Sequence, residues 1–363
     1  MAAYPTKLAE AFASQAIEIF YSMSISDAIT NSEYEGQIKD KASILNVLTF
    51  GAIVDHVYNG SDMTADTLTE SNCQLLTNQA KYIYFTVKDY DTFRSYIKNP
   101  EATIQKQVAS RMKQVIDTFV LGLYVDAGGD AIGTDFTTGT VTVDVTTGIV
   151  THSATGFLAT MVGRLFKALG HTKYYRVYHY TSTSQIEIID DLEDVAVAYT
   201  GGAIVAGATF VIRALTAIQT TSALIFGQIT SAATALNNGS IPQSDRWLVL
   251  PSTIAGVLKQ SVEFVGVGSE GGREAVQNGL LPKRFAGFDV YEVPDSYVTG
   301  DSVNGFRCLA GHKSAICFAM GLTENGVEDA YKNFGKNYKS LWVYGAKVPD
   351  ERRKALVELF LKL

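Results

Sequence analysis

PEATIQKQVASRMKQVIDTFVLGL, residues 100–123, is the most regular stretch of the chain. Ile104, Val108, Met112, Val115, Phe119 and Leu123 recur every three or four positions, while Glu101, Lys106, Arg111 and Lys113 mostly fall on the other faces. That spacing predicts a long amphipathic helix of about six turns. Pro100 suits a first helical position, where its missing N–H would have no partner anyway. Gly128-Gly129 close the segment.

On the N-terminal side, Lys81–Val87 (KYIYFTV) has the aromatic and β-branched composition of a strand. The stretch Tyr34–Leu76 mixes short apolar runs with turn signals such as Asn59-Gly60-Ser61-Asp62 and reads as an extended, hairpin-like excursion. Before it, Leu8, Phe12, Ile17 and Phe20 give residues 7–31 a helical spacing.

On the C-terminal side, helical periodicity vanishes from Thr137 to Ala214. Thr140–Val145 alternates strictly, and Tyr174–Tyr180, Ser184–Ile189 and Thr209–Ile212 read as further strands. Together they predict an all-β module of about 80 residues, set between two α/β segments. Helical pattern returns over Ser222–Leu236. Trp247–Leu250 is a short apolar strand stopped by Pro251, and Ser252–Gln260 reads as a short helix. Phe288–Val293, Cys308–Met320 and Lys339–Val348 read as strands, while Ala355–Leu363 fits a helix or a strand equally.

Composition narrows the function classes. The 363 residues include 30 Lys and Arg against 37 Asp and Glu, a net charge of −7. That balance argues against a protein that coats DNA through clustered positive charge. Cys73, Cys308 and Cys317 are too few and too scattered for a disulfide framework. The N-terminus lacks an apolar signal core, and Val195–Ile212 and Ala214–Ser244 are too polar or glycine-broken to span a bilayer. A soluble protein with no membrane partner is expected.

No motif makes a convincing catalytic, cofactor or metal site. Gly266-Val-Gly268-Ser-Glu-Gly271 matches G-x-G-x-x-G, but Asn278-Gly279 follow too soon for the helix a dinucleotide site requires. Cys308, His312 and Cys317 lack zinc spacing and a fourth ligand. The acidic run Asp190-Asp191-Leu192-Glu193-Asp194 lacks the glycine of a calcium loop and reads as a solvated turn. Tyr174–Tyr180 (YYRVYHY) could stack on bases but suits a pleated strand better. The five histidines are dispersed, and neither a G-x-S-x-G elbow nor a Walker A loop is present. No enzyme activity, cofactor or metal is expected.

The order of elements resembles the major capsid proteins of tailed bacteriophages with the HK97-like fold. Five stretches carry the likeness: Tyr34-Glu35-Gly36-Gln37-Ile38, Leu75–Asp89, Arg246–Leu258 (RWLVLPSTIAGVL), Asn278–Pro294 and Trp342–Val348 (WVYGAKV). The β module is similar to a small domain that recurs in phage structural proteins. The resemblance implies an α+β chain divided into an N-terminal arm (1–33), an extended loop (34–80), and a peripheral domain (81–133) with a spine helix at 100–125. An inserted all-β domain (134–215) follows, then more of the peripheral domain (216–262), an axial domain (263–330) and closing peripheral strands (331–363).

It further implies self-assembly of pentamers and hexamers into an icosahedral shell, with scaffolding and portal proteins as partners and non-specific contact with packaged double-stranded DNA. The location would be the virion, after assembly in the host cytoplasm. Assembly contacts are expected around Tyr34, Glu35, Tyr58, Asn59, Asp62 and Met63. No position matches the lysine–asparagine crosslink of some members. An encapsulin-like nanocompartment shell would share the fold, a tail or baseplate protein would make the β module its main domain, and an enzyme would rest on Gly266–Gly271 alone.

Overall fold

The computed structural model describes residues 24–31, 33, 44–50, 55–58, 65, 70–88, 100–144, 146–169, 173–190, 207–262, 284–331 and 334–363. The expected helix before residue 24, the loop start at 34–38, the acidic residues 191–194 and the glycine-rich stretch 264–279 lie outside them.

The central helix α2 runs over Pro100–Leu121 and tightens into a 3-10 turn at Gly122–Asp126. Its buried stripe is rotated from the expected one. Met112, Ile116, Val120 and Leu121 are buried, whereas Val108, Val115, Phe119 and Leu123 are only half-buried. The reason is that α2 is packed on two sides. One side meets a short helical clip, α1 (Ser26–Ile29), through Ile25 and Ile29. The other meets a three-stranded antiparallel sheet of order β17-β18-β3, formed by β3 (Gln79–Lys88), β17 (Cys317–Asp329) and β18 (Gly335–Lys347).

Trp247–Leu250 forms the middle of β12 (Arg246–Pro251), every residue of which is buried. It is flanked by β14 (Phe288–Val293), parallel to it, and β16 (Gly305–His312), antiparallel. Beyond β16 lies β19 (Leu356–Lys362), then the short β11 (Ile218–Gln219), and β13 (Arg284–Phe285) closes the far edge. β15 (Gly300–Asp301) pairs antiparallel with β16 beside this path, and two helices pack on the resulting seven-stranded sheet. α3 (Ile225–Asn238) buries Ile225, Ile229, Ala232 and Leu236 at helical spacing, and α4 (Ser252–Lys259) follows Pro251 directly. Buried Arg246 closes the end of α3, donating to Ile241 O (2.6 Å), Pro242 O (2.7 Å) and Asn237 Oδ1 (2.8 Å).

The ambiguous C-terminus is thus a strand, and it is buried from Leu356 to Leu361 on both faces. A strand covered on both sides does not alternate, which is why its sequence reads equally well as a helix. The boundaries drawn at 262 and 330 do not follow the sheets. The β12-centred sheet takes strands from 216–262, 263–330 and 331–363, and the three-stranded sheet joins 79–88 to 317–347.

The described residues between 134 and 216 form a second, separate seven-stranded sheet of order β4-β10-β7-β8-β9-β6-β5. Its strands are β4 (Thr134–Phe136), β5 (Val141–Val143), β6 (Ile149–His152), β7 (Leu165–Ala168), β8 (Tyr175–Ser182), β9 (Gln185–Asp190) and β10 (Phe210–Thr216). Phe157, Phe166, Phe210, Val177, Ile186 and Ile188 fill a core of its own. Tyr175 and Val177 point inward from the tyrosine-rich strand, as pleating requires. Asp190 is not the solvated turn residue expected: it is buried and paired to Lys173 at 2.9 Å.

Candidate assembly interface

β1 (Ile44–Phe50) and β2 (Glu70–Leu76) pair antiparallel over seven residues as a sheet of their own. Its strands extend roughly 23 Å at ~3.3 Å per residue. A lone two-stranded ribbon is at best marginally stable in water, so it gains by lying on something larger. Its root is fixed: Leu75 packs on Cys317 and Ala319, and the chain there passes directly over β18 at Gly345. A Cβ at Gly345 would overlap the Leu76 carbonyl, which accounts for the glycine in the WVYGAKV stretch.

Of the six residues expected at assembly contacts, Tyr58 is described and is exposed, with Val57 beside it 94% exposed. Tyr34, Glu35, Asn59, Asp62 and Met63 lie outside the described residues.

The structure adds surfaces that the sequence reading missed. β3 turns Ile83 and Phe85 toward α2, with Phe85 stacked on Tyr338 at 5.1 Å. It turns Tyr82 and Tyr84 outward, exposed by 77% and 52%. Between those tyrosines and Gly326, Lys339 and Leu341 lies a shallow trough of about 530 Å³. The trough is rimmed by the Glu328–Lys339 ion pair. At the turn joining β17 to β18, Tyr331 and Phe334 are 96% and 90% exposed. Aromatic rings on both faces of KYIYFTV, and two more in the turn sequence DAYKNFGK, were the available signal. Large apolar groups left in water at such density mark surfaces that become covered. β3 is also an edge: among the described residues it pairs with β18 alone.

Cys308, Cys317 and His312 lie among the described residues. Cys308 is fully buried in the β12-centred sheet, and burial pushes its thiol pKa far above the ordinary range. Cys317 is buried beside the ribbon root, and His312 Nδ1 meets the Ser314 hydroxyl at 2.8 Å. Among the described residues, no three His, Cys, Asp or Glu side chains gather around a common point, and no helix is long and apolar enough to cross a membrane.

No family model and no curated relative matches the chain. Solved structures do. A chain of Mycobacterium phage Che8 superposes with a TM-score of 0.63 at 17% identity, covering 98% of both chains. The capsid structure of the cyanophage P-SCSP1u matches with a TM-score of 0.59 at 13% identity, covering 98% of this chain and 93% of that one. The mature capsid of bacteriophage PhiM1 matches with a TM-score of 0.55 at 12% identity, covering 97% and 91%. The chain has the α+β, HK97-like fold of phage capsid subunits over nearly its whole length.

Proposed function

We propose that the chain is the major capsid protein of a tailed bacteriophage, self-assembling into an icosahedral shell around double-stranded DNA. The observation that carries this reading is the end-to-end likeness to capsid chains, 98% of this chain and 93% of the cyanophage one. The role is mechanical. Copies of the chain are the principal partner, arranged as pentamers and hexamers. The β1–β2 ribbon and the tyrosine face of β3 supply extended contacts, each weak alone and multiplied by closed symmetry. Scaffolding and portal proteins would act during assembly in the host cytoplasm, and the mature location is the virion. A net charge of −7 suits a wall that DNA slides past without sticking. In this reading residues 134–216 are an insertion in a fold that is otherwise peripheral (α2 with the three-stranded sheet) and axial (the β12-centred sheet).

The test is to shorten residues 59–67, between the ribbon strands, and to compare assembly with folding. Loss of assembled particles with an unchanged melting temperature supports the reading. Equal loss of both means that the ribbon serves its own subunit.

A further inference from the structure

Both chain connections to the sheet of the β module run along the same strand of the body, β19. On the incoming side, Gly129 N–H donates to Leu356 O (3.0 Å), Ile132 N–H to Glu358 O (2.8 Å), and Phe360 N–H to Ile132 O (2.8 Å). The outgoing side continues from β10 into β11, which pairs parallel with Leu361 and Lys362, and Thr220 N–H donates to Lys362 O (2.7 Å). Gly128 and Gly129 permit the close approach: a Cβ on either would stand 2.7 Å from Arg353 Cβ or Val357 Cγ2.

A buried charge cluster sits at this joint. Glu358 of β19 accepts from Arg164 of the β module at 2.6 Å and from Arg307 of β16 at 2.5 Å. The Tyr124 ring, from the turn after α2, lies 5.6 Å from one guanidinium and 5.2 Å from the other. Both arginines also donate to the carbonyl of Ala214, at 2.9 and 3.2 Å, and the Ala214 N–H donates to Asp135 at 2.6 Å. Ala214 has φ +43°, a left-handed conformation that a non-glycine residue seldom adopts. Its two backbone groups are held from three directions. A second link lies nearby, where Arg176 of β8 pairs with Asp126 and the Tyr174 hydroxyl donates to Gly128 O at 2.7 Å.

We infer that the β module is a fixed limb, held at one angle to the body by a charge-locked joint of Arg164, Glu358, Arg307 and the backbone of Ala214. Buried ion pairs contribute little net stability because desolvation offsets their attraction, but they accept few geometries. That property suits orientation better than cohesion. The module has a hydrophobic core of its own, distinct from that of the body. Fixed in this way, the limb presents the same surface in every copy of the chain, whatever assembly the chain forms.

Two measurements test this. In hydrogen exchange, Arg164→Met is expected to speed the amides of 129–134 and 212–220 at least tenfold, with rates in β8, β9 and β12 unchanged. Unchanged rates at the joint would overturn the proposal, and so would faster exchange throughout module and body, which would make the cluster a general core element. In pulsed electron resonance, spin labels at Tyr178→Cys and Val303→Cys, in a Cys73→Ser background diluted with unlabelled chain, read the module-to-body distance without any change at the joint. A single narrow distribution is expected, and a broad one would overturn the fixed limb. Adding Arg164→Met should broaden it.

Discussion

Replacing Asp117 by alanine is expected to detach the N-terminal clip while the body stays folded. Asp117 lies on α2 and is fully buried, yet its partners are some ninety residues away in sequence. Its carboxylate accepts from the Ser24 hydroxyl at 3.0 Å and from the backbone N–H groups of Ile25 at 3.3 Å and Ser26 at 3.0 Å. Alanine would leave both buried amides without an acceptor. An unsatisfied buried donor costs about 1–3 kcal/mol, and some solvent entry beside half-buried Ser24 would offset part of this, so the net loss is about 2–4 kcal/mol. At about 1.4 kcal/mol per decade, the Ile25 and Ser26 amides should exchange about 30- to 700-fold faster, with β12 at its wild-type rate. Asparagine keeps an acceptor and should stay within about 1 kcal/mol of wild type. Burial holds the Asp117 pKa above the ordinary carboxylate value despite the opposing hydrogen bonds. Its ionisation therefore costs more in the folded state than in the unfolded chain. Stability should fall as pH rises through that range, and Asp117→Asn should remove this loss. Unchanged exchange in Asp117→Ala, or equal damage from asparagine, would refute the reasoning.

Other perturbations read other parts of the structure. Trp247→Ala empties the centre of a strand buried on both faces and should cost about 3–5 kcal/mol in urea unfolding. Gly129→Val drives side-chain atoms into Val357 and the Leu356 carbonyl, which cannot yield without moving β19, and should cost about 1–3 kcal/mol, seen as a lower Tm. Tyr331→Ser with Phe334→Ser should leave subunit stability within about 0.5 kcal/mol, since both rings are in water, while reducing particle yield by electron microscopy. Asp301 accepts from Asn304 N–H, the Asn304 side chain and Val303 N–H, which hold its pKa below the ordinary value. Its stabilisation of the turn is present above the ordinary carboxylate pKa and lost as pH falls through the lowered one. NMR titration of the turn should show that step, and Asp301→Asn should abolish it.

Local signals carried much of the fold. KYIYFTV, WLVL with Pro251, and the helix from Pro100 formed as the element types their local sequences favour, although packing on two sides rotates the buried stripe of the helix. The C-terminal strand was not decidable, since burial on both faces erases alternation. Asp117 was a readable warning, a carboxylate between Ile116 and Val120 on the buried stripe, but its partners lie far back in the chain. The joint left no trace at all. Arg164 and Glu358 are 194 residues apart, and Ala214 carries no mark of a left-handed backbone. Of the interface, the aromatic pattern of β3 was visible but was absorbed into the strand assignment, because sequence alone does not say which face is left uncovered.

The most direct test of the capsid reading is sedimentation velocity with electron microscopy on the purified chain, made alone and co-expressed with the genes beside its own. Closed shells, or rings of five and six copies, are the expected result in at least one preparation. A monomer in both would contradict it.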